Sequence, residues 1–179
     1  MAAAANIFNC QTIINKIHNK GYQIDGVDKI PLLEKTNDEN YEGAAIVIKL
    51  KQRGNSIVVS KLSFDNSNTI TIDEIERIDD SSKGAGRLLL DLILCQSIAK
   101  GFNVELFASP GAFKKNTNIA TQRKLLKFYE ESGLNKSSNE ILGFGKVKQW
   151  YYSKNHNKIK KTLRNRYTGG KQKTRKTKL

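Results

Sequence analysis

The 179-residue chain has little histidine, little cysteine and, from Lys154 onward, no acidic residue. Its only histidines, His18 and His156, lack suitably spaced cysteine or carboxylate partners, which argues against a histidine-dependent triad and against a metal centre. Cys10 and Cys95 are far apart and match no metal spacing. Cys95 falls inside an apolar helical stretch, where a buried thiol is the default expectation, so the fold need not depend on an oxidising compartment. No run approaches the ~18 apolar residues of a membrane span. The start, MAAAANIFN, lacks the basic and apolar regions of a signal peptide. A soluble intracellular protein, cytoplasmic or nuclear and without a membrane partner, is expected.

What is present is positive charge, unevenly placed. Of the 31 Lys and Arg residues, 11 lie in Lys154–Leu179, leaving 20 against 17 acidic residues in the first 153. A nearly balanced body thus carries a basic end. The ending, with KIKKTLRNRYTGGKQKTRKTKL, has too little apolar content to fold alone and reads as a disordered tail. It is suited to nucleic acid or another polyanion, or is simply solvated. Lysine-rich endings of this RYTGGK type are similar to those on proteins of large DNA viruses, a likeness that identifies no target. The domain boundary is expected at residues 1–153 against 154–179.

Periodicity organises the body. A helix is expected over Gln11–Lys20, then loops around a short helix near Leu32–Lys35. Strands follow at Gly43–Lys51, Ser56–Phe64 and Thr69–Ile78, joined by turns at Gln52–Asn55 and Asp65–Asn68. In the third strand Ile75 breaks the parity of Ile70 and Ile72. Either a bulge near Asp73–Glu74 restores one face, or the strand ends by Asp73. A small-residue turn, Ser81-Ser82-Lys83-Gly84-Ala85-Gly86, opens helix Gly86–Lys100, which is apolar nearly all round and so is expected to be buried against a sheet. Strand Phe102–Ala108, helix Ile119–Ser132 and a last strand at Lys146–Tyr152 complete the pattern. Strand, glycine turn, helix and strand make a parallel β-α-β crossover. Gly143-Phe144-Gly145-Lys146 is not a P-loop, because the upstream glycine is missing and Val147 stands where Ser or Thr belongs.

This order, together with two motifs, resembles the GNAT superfamily of N-acetyltransferases. Ser81–Gly86 sits where that family places its pyrophosphate loop, Q/R-x-x-G-x-G/A. Tyr129-Glu130-Glu131-Ser132-Gly133-Leu134 is similar to its helix-closing motif, Y-x-x-x-G-F/L. The resemblance spans Thr69 to Leu134 and implies a mixed α/β (α+β) fold, with a mostly antiparallel central sheet, helices on both faces and a β-α-β CoA-binding core. Three positions depart from the pattern: Ser81 replaces the leading Gln or Arg, and Gln122 and Leu125 replace an Asn and a small residue. The charge missing at Ser81 has candidate substitutes in Lys83 and Arg87.

The resemblance implies acetyl transfer from acetyl-CoA to an amine, on a protein or a small molecule, by direct attack. Ser81, Ser82, Lys83, Gly84, Ala85, Gly86 and Arg87 are then the cofactor loop, with strand residues Glu76, Arg77 and Ile78 completing the cofactor contacts. Free amides at a helix start suit a diphosphate, and glycines let it approach the backbone. Glu76 and Glu74 are the candidate bases for the amine, and Tyr129 is the candidate proton donor to the leaving thiolate. The competing reading is a GNAT-like binding module without turnover, recruited to nucleic acid or another polyanion by its basic end.

Overall fold

The computed structural model describes residues 9–31, 45–64, 68–79, 81–108, 119–142, 146–153 and 155–169. The elements, in chain order, are α1 (Gln11–Asn19), β1 (Gln23–Asp25), β2 (Ile46–Gln52), β3 (Asn55–Phe64), β4 (Thr69–Arg77), α2 (Ala85–Ala99), β5 (Asn103–Ala108), α3 (Ile119–Glu130), β6 (Asn135–Leu142), β7 (Lys146–Tyr152) and α4 (His156–Tyr167). The strands form one seven-stranded sheet in the order β1-β2-β3-β4-β5-β7-β6. Only β4 and β5 run parallel, joined by α2 as the crossover. The mixed, mostly antiparallel sheet that the resemblance implies is therefore the observed one. β1 and β6 had no legible signal, and the helix expected near Leu32–Lys35 lies outside the described residues.

α2 is apolar nearly all round because it is covered nearly all round. It lies on β2, β3, β4 and β5 and is flanked by α1 and α4. Leu89, Leu90, Leu92, Ile93 and Leu94 are fully buried, as are Ile48, Leu50, Val58, Leu62 and Ile70 on the inward parity of the sheet. Among the described residues no helix is long and apolar enough to cross a membrane.

The parity break in β4 is a bulge. Lys61 pairs with Glu74 and Leu62 with Ile72, so Asp73 has no partner on β3 and Ile75 returns to the inward side. Ser63 Oγ donates to Asp73 Oδ1 (3.0 Å) and Ser60 Oγ to the Glu74 carbonyl (2.8 Å), which fixes the extra residue in place.

Two expectations are corrected. The stretch from Lys154 is not simply a disordered tail, because its first part is helix α4, and the folded unit therefore runs past residue 153. Asn155 caps the helix by accepting from the Lys158 amide (3.0 Å), and Ile159 and Leu163, one turn apart, are buried in the core. Ile159, Leu163 and Tyr167 recur at i, i+4 and i+8, a stripe too thin to mark a helix by composition, but it suffices once a core is there to receive it. Cys95 is likewise not a free thiol: it is bonded to Cys10, 85 positions earlier, with Cα atoms 5.7 Å apart. The packing of α1 against α2 brings the two together. Reducing this bond should lower stability by about 2–4 kcal/mol, because the unfolded chain regains the freedom of a long loop. Denaturant titration with and without a thiol reductant measures it, and identical midpoints would mean the link is unimportant to the fold.

Candidate active site

Beyond the bulge, β4 leaves its parallel neighbour. The β4–β5 pairing runs from Thr69–Asn103 to Ile72–Leu106 and ends there, while β4 continues to Arg77 against β3 alone. The strands splay, and the slot opens towards the turn before α2. A cavity of about 660 Å³ lies there, lined by Ile75, Glu76 and Arg77 of β4, Gly84, Gly86 and Arg87 at the start of α2, and Leu125, Phe128 and Tyr129 of α3. That volume is in the range of cofactor and small-ligand sites.

Asp79 builds the turn. Its carboxylate accepts from the Ser81 amide and hydroxyl (both 2.8 Å), and its carbonyl accepts from Ser82 Oγ (2.5 Å). These bonds to Ser81 hold the Asp79 carboxyl below the usual carboxylate range. Gly84 then takes φ +85°, a left-handed conformation that glycine adopts without strain, and α2 begins. The Ala85 amide bonds to the Ser82 carbonyl and the Leu88 amide to that of Gly84. Among the described residues, the amides of Gly84, Gly86 and Arg87 have no such acceptor, so unpaired N–H groups gather at the positive end of α2. A Cβ on either glycine would meet nothing within 4 Å, which leaves open space over the turn. Exposed amides, open glycines and the apolar wall of Ile75, Leu125 and Phe128 together fit a diphosphate with an extended thioester arm.

Arg87 is turned to a different task. Its Nη1 donates to the Phe128 carbonyl and to Ser132 Oγ (both 2.6 Å), and its Nη2 to Glu131 Oε2 (3.1 Å). The guanidinium also lies over the Phe128 ring, 3.9 Å from its centroid. Arg87 thus ties α2 to the C-terminal end of α3, where carbonyls accumulate negative potential. Lys83 is exposed beside the turn.

Tyr129 is 8 % exposed and reaches the cavity from α3, between the rings of Phe128 and Tyr151 (centroids 5.2 and 5.5 Å away). Burial pushes its hydroxyl up to about 12, so it keeps its proton throughout the neutral range. Tyr151, wholly buried, donates to the Leu126 carbonyl (3.2 Å) and fixes the neighbouring ring. The motif glycine Gly133 has φ +88°, and a Cβ there would lie 2.9 Å from Thr162 Oγ1 and 3.1 Å from Ile159 Cα of α4. It ends α3 and leaves room for α4.

Of the residues singled out by sequence, Glu76, Arg77, Gly84, Gly86, Arg87 and Tyr129 line this one cavity. Glu74 does not: it forms an ion pair with Lys61 (2.9 Å) across the β3–β4 ladder. Ser81 and Ser82 shape the turn through Asp79, Ala85 is buried, and Ile78 is 55 % exposed with its amide bonded to the Ile57 carbonyl. The i, i+3, i+4 spacing puts Leu125, Phe128 and Tyr129 on one face of α3, but sequence reasoning did not place Leu125, Phe128 or Ile75 on the cavity wall, where the structure has them.

The fold, a parallel pair that splays after a bulge with a glycine turn and helix start at the slot, is similar to that of solved acetyltransferases, one of them of the GNAT family. No family model matches the chain, and no curated protein matches it in sequence. Among solved structures it is similar to an IAA acetyltransferase from Bacillus cereus, at 17% identity over 73% of this chain and 96% of that one, with a TM-score of 0.50. It is also similar to a GNAT family acetyltransferase from Elizabethkingia anophelis with acetyl-CoA bound, at 13% identity over 74% and 97% of the two chains, again with a TM-score of 0.50.

The open glycines give a direct check on the site. Gly86→Leu should leave the midpoint of thermal unfolding within a few degrees, since its Cβ meets nothing within 4 Å. The new side chain would occupy the cavity, so that acetyl-CoA, if it is the ligand as proposed below, should bind at least ~100-fold more weakly, the scale of a blocked site. Calorimetric titration reads this directly. Unchanged affinity would place that ligand elsewhere.

Proposed function

We propose that the chain transfers the acetyl group of acetyl-CoA to an amine. One observation carries the reading: a single cavity holds unpaired amides at a helix start, a carboxylate and a protonated buried tyrosine. In this reading the amides of Gly84, Gly86 and Arg87 hold the diphosphate, and Ile75, Leu125 and Phe128 exclude water from the thioester arm. Backbone amides of β4 beyond Ile72, on the side that β5 no longer covers, would polarise the thioester carbonyl. Glu76, the cavity-lining carboxylate of β4, takes the proton from the attacking amine, directly or through water. Glu74, held by Lys61, is the weaker candidate. Tyr129 gives its proton to the departing thiolate.

The first test is titration with acetyl-CoA; no binding at millimolar concentration would reject the proposal. Given binding, release of free thiol in the presence of a panel of primary amines reports turnover. A second reading, a binding module without turnover, is favoured by Ser81, whose side chain is tied to Asp79 rather than offered to a phosphate. Binding without thiol release across the panel would select it.

A further inference from the structure

α4 is anchored on one side and cationic on the other. Its inner side carries Ile159 and Leu163 into the core, Arg166 onto the buried Asp91 of α2 (Nη1 to Oδ1 2.5 Å and Oδ2 2.6 Å), and the Tyr167 hydroxyl onto the same carboxylate (2.7 Å). Lys16 of α1 sits 4.9 Å above the Tyr167 ring. These contacts fix the rotation of the helix, because a turn about its axis would break all of them together. The outward side is then Asn157, Lys160, Lys161, Arg164 and Asn165, all exposed, and the helix has no acidic residue.

We propose that this outward face of α4 binds the phosphate backbone of double-stranded nucleic acid. The composition of the face decides among polyanions. Stable anchoring as an interfacial membrane helix needs apolar side chains to insert, and this face has none, since Ile159 and Leu163 point inward. A protein partner needs an apolar or aromatic anchor, with lysine depleted, whereas here lysines are central. Single strands are held by stacking on aromatic rings, and the ring available on α4, Tyr167, is committed to Asp91 and Lys16. Cations and amides on a rigid helix are the makeup of a duplex-backbone contact, which fixes position without reading sequence. The site is separate from the cavity at the β4–β5 splay, and the inference does not rest on acetyl transfer.

The test uses the full-length chain, with residues 170–179 kept in every variant, and a labelled duplex of about 20 base pairs followed by fluorescence anisotropy at several salt concentrations around 150 mM. Lys160→Gln/Lys161→Gln/Arg164→Gln should bind at least ~10-fold more weakly than the unaltered protein. Its plot of log affinity against log salt should be shallower by about 2.7, the value for three phosphate contacts. A charge-matched control, Lys20→Gln/Lys29→Gln/Lys136→Gln, alters three exposed lysines on other elements and should stay within about two-fold. All six sites are exposed, so matching unfolding midpoints confirm that folding is not the variable. The proposal is overturned if the unaltered protein does not bind the duplex, if the α4 variant binds as well as the unaltered protein, or if the control loses as much as the α4 variant. It is also overturned if a single strand of equal length binds more tightly, or if polyglutamate of equal charge displaces the duplex equally well.

Discussion

Arg166→Met should destabilise the protein by about 3–5 kcal/mol, the range for removing one partner of a buried ion pair. The reason is Asp91. It is 0 % exposed, in the middle of a mostly apolar helix, and its carboxylate is held by Arg166 and by the Tyr167 hydroxyl. Burial pushes the Asp91 carboxyl up, and Arg166 is the largest influence opposing that shift. Without the guanidinium, α2 must bury a carboxylate against leucines or take up a proton to do so. Arg166 Nη2 also donates to the Glu131 carbonyl (2.5 Å) at the end of α3, so α2, α3 and α4 meet at this side chain. Urea denaturation measures the change, and a loss below about 1 kcal/mol would mean the pair is not desolvated in solution. Adding Asp91→Leu to Arg166→Met should restore part of the loss, because it removes the stranded charge. Exposed Lys160→Gln on the same helix should stay within about 0.5 kcal/mol. Removing α4 altogether, by ending the chain at Ser153, forfeits the ion pair and the burial of Ile159 and Leu163, each worth about 1.5–3 kcal/mol. Against a typical total of about 5–15 kcal/mol, such a truncation should be largely unfolded.

Tyr129→Phe should lower turnover by about 10²–10⁴-fold, the usual contribution of a positioned general acid, while leaving acetyl-CoA affinity nearly unchanged. The substitution removes one oxygen and keeps the ring between Phe128 and Tyr151, so the cavity wall persists. The hydroxyl has no hydrogen-bond partner among the described residues, which makes the change nearly neutral for folding. The sign of the pH dependence follows from burial. The folded state favours the protonated phenol, raised from 10.0 to about 12. Its stabilising contribution is complete below 10 and declines as pH rises through about 12. In its proposed role Tyr129 therefore keeps its proton at neutral and moderately alkaline pH, and an alkaline fall in rate well below 12 would belong to another group. Turnover and calorimetry on the same preparations separate rate from affinity. Equal rates in the two proteins would make Tyr129 a packing residue.

How much of this was legible varied with the range of the interaction. The turn Ser81–Gly86 and the apolar run after it announce a helix start, because a left-handed glycine such as Gly84 and a 3.6-residue period are local consequences of local composition. The displaced Ile75 posed a choice between a bulge and a strand end, and pairing with β3 decided it: Leu62 takes Ile72 and Lys61 takes Glu74. Tyr129 was legible through its spacing to Gly133. The reason for that glycine, however, is α4 crossing at Ile159 and Thr162, which no local pattern contains. Arg87 read as a candidate for the charge missing at Ser81. Its true partners, Phe128, Glu131 and Ser132, are more than forty positions away.

The sequence by itself determined the order of the main strands and helices, the location of the glycine turn and the separation of a balanced body from a basic end. Each depends on residues within one or two turns of each other, where side-chain period and backbone preference act directly. Only the tertiary structure decided that the basic end begins as a docked helix, that Cys10 meets Cys95 and that Asp91 is neutralised by Arg166. Those pairings join residues 75 to 85 positions apart. At such separations chain connectivity specifies nothing, and the packing of α1 and α4 against α2 selects the partner.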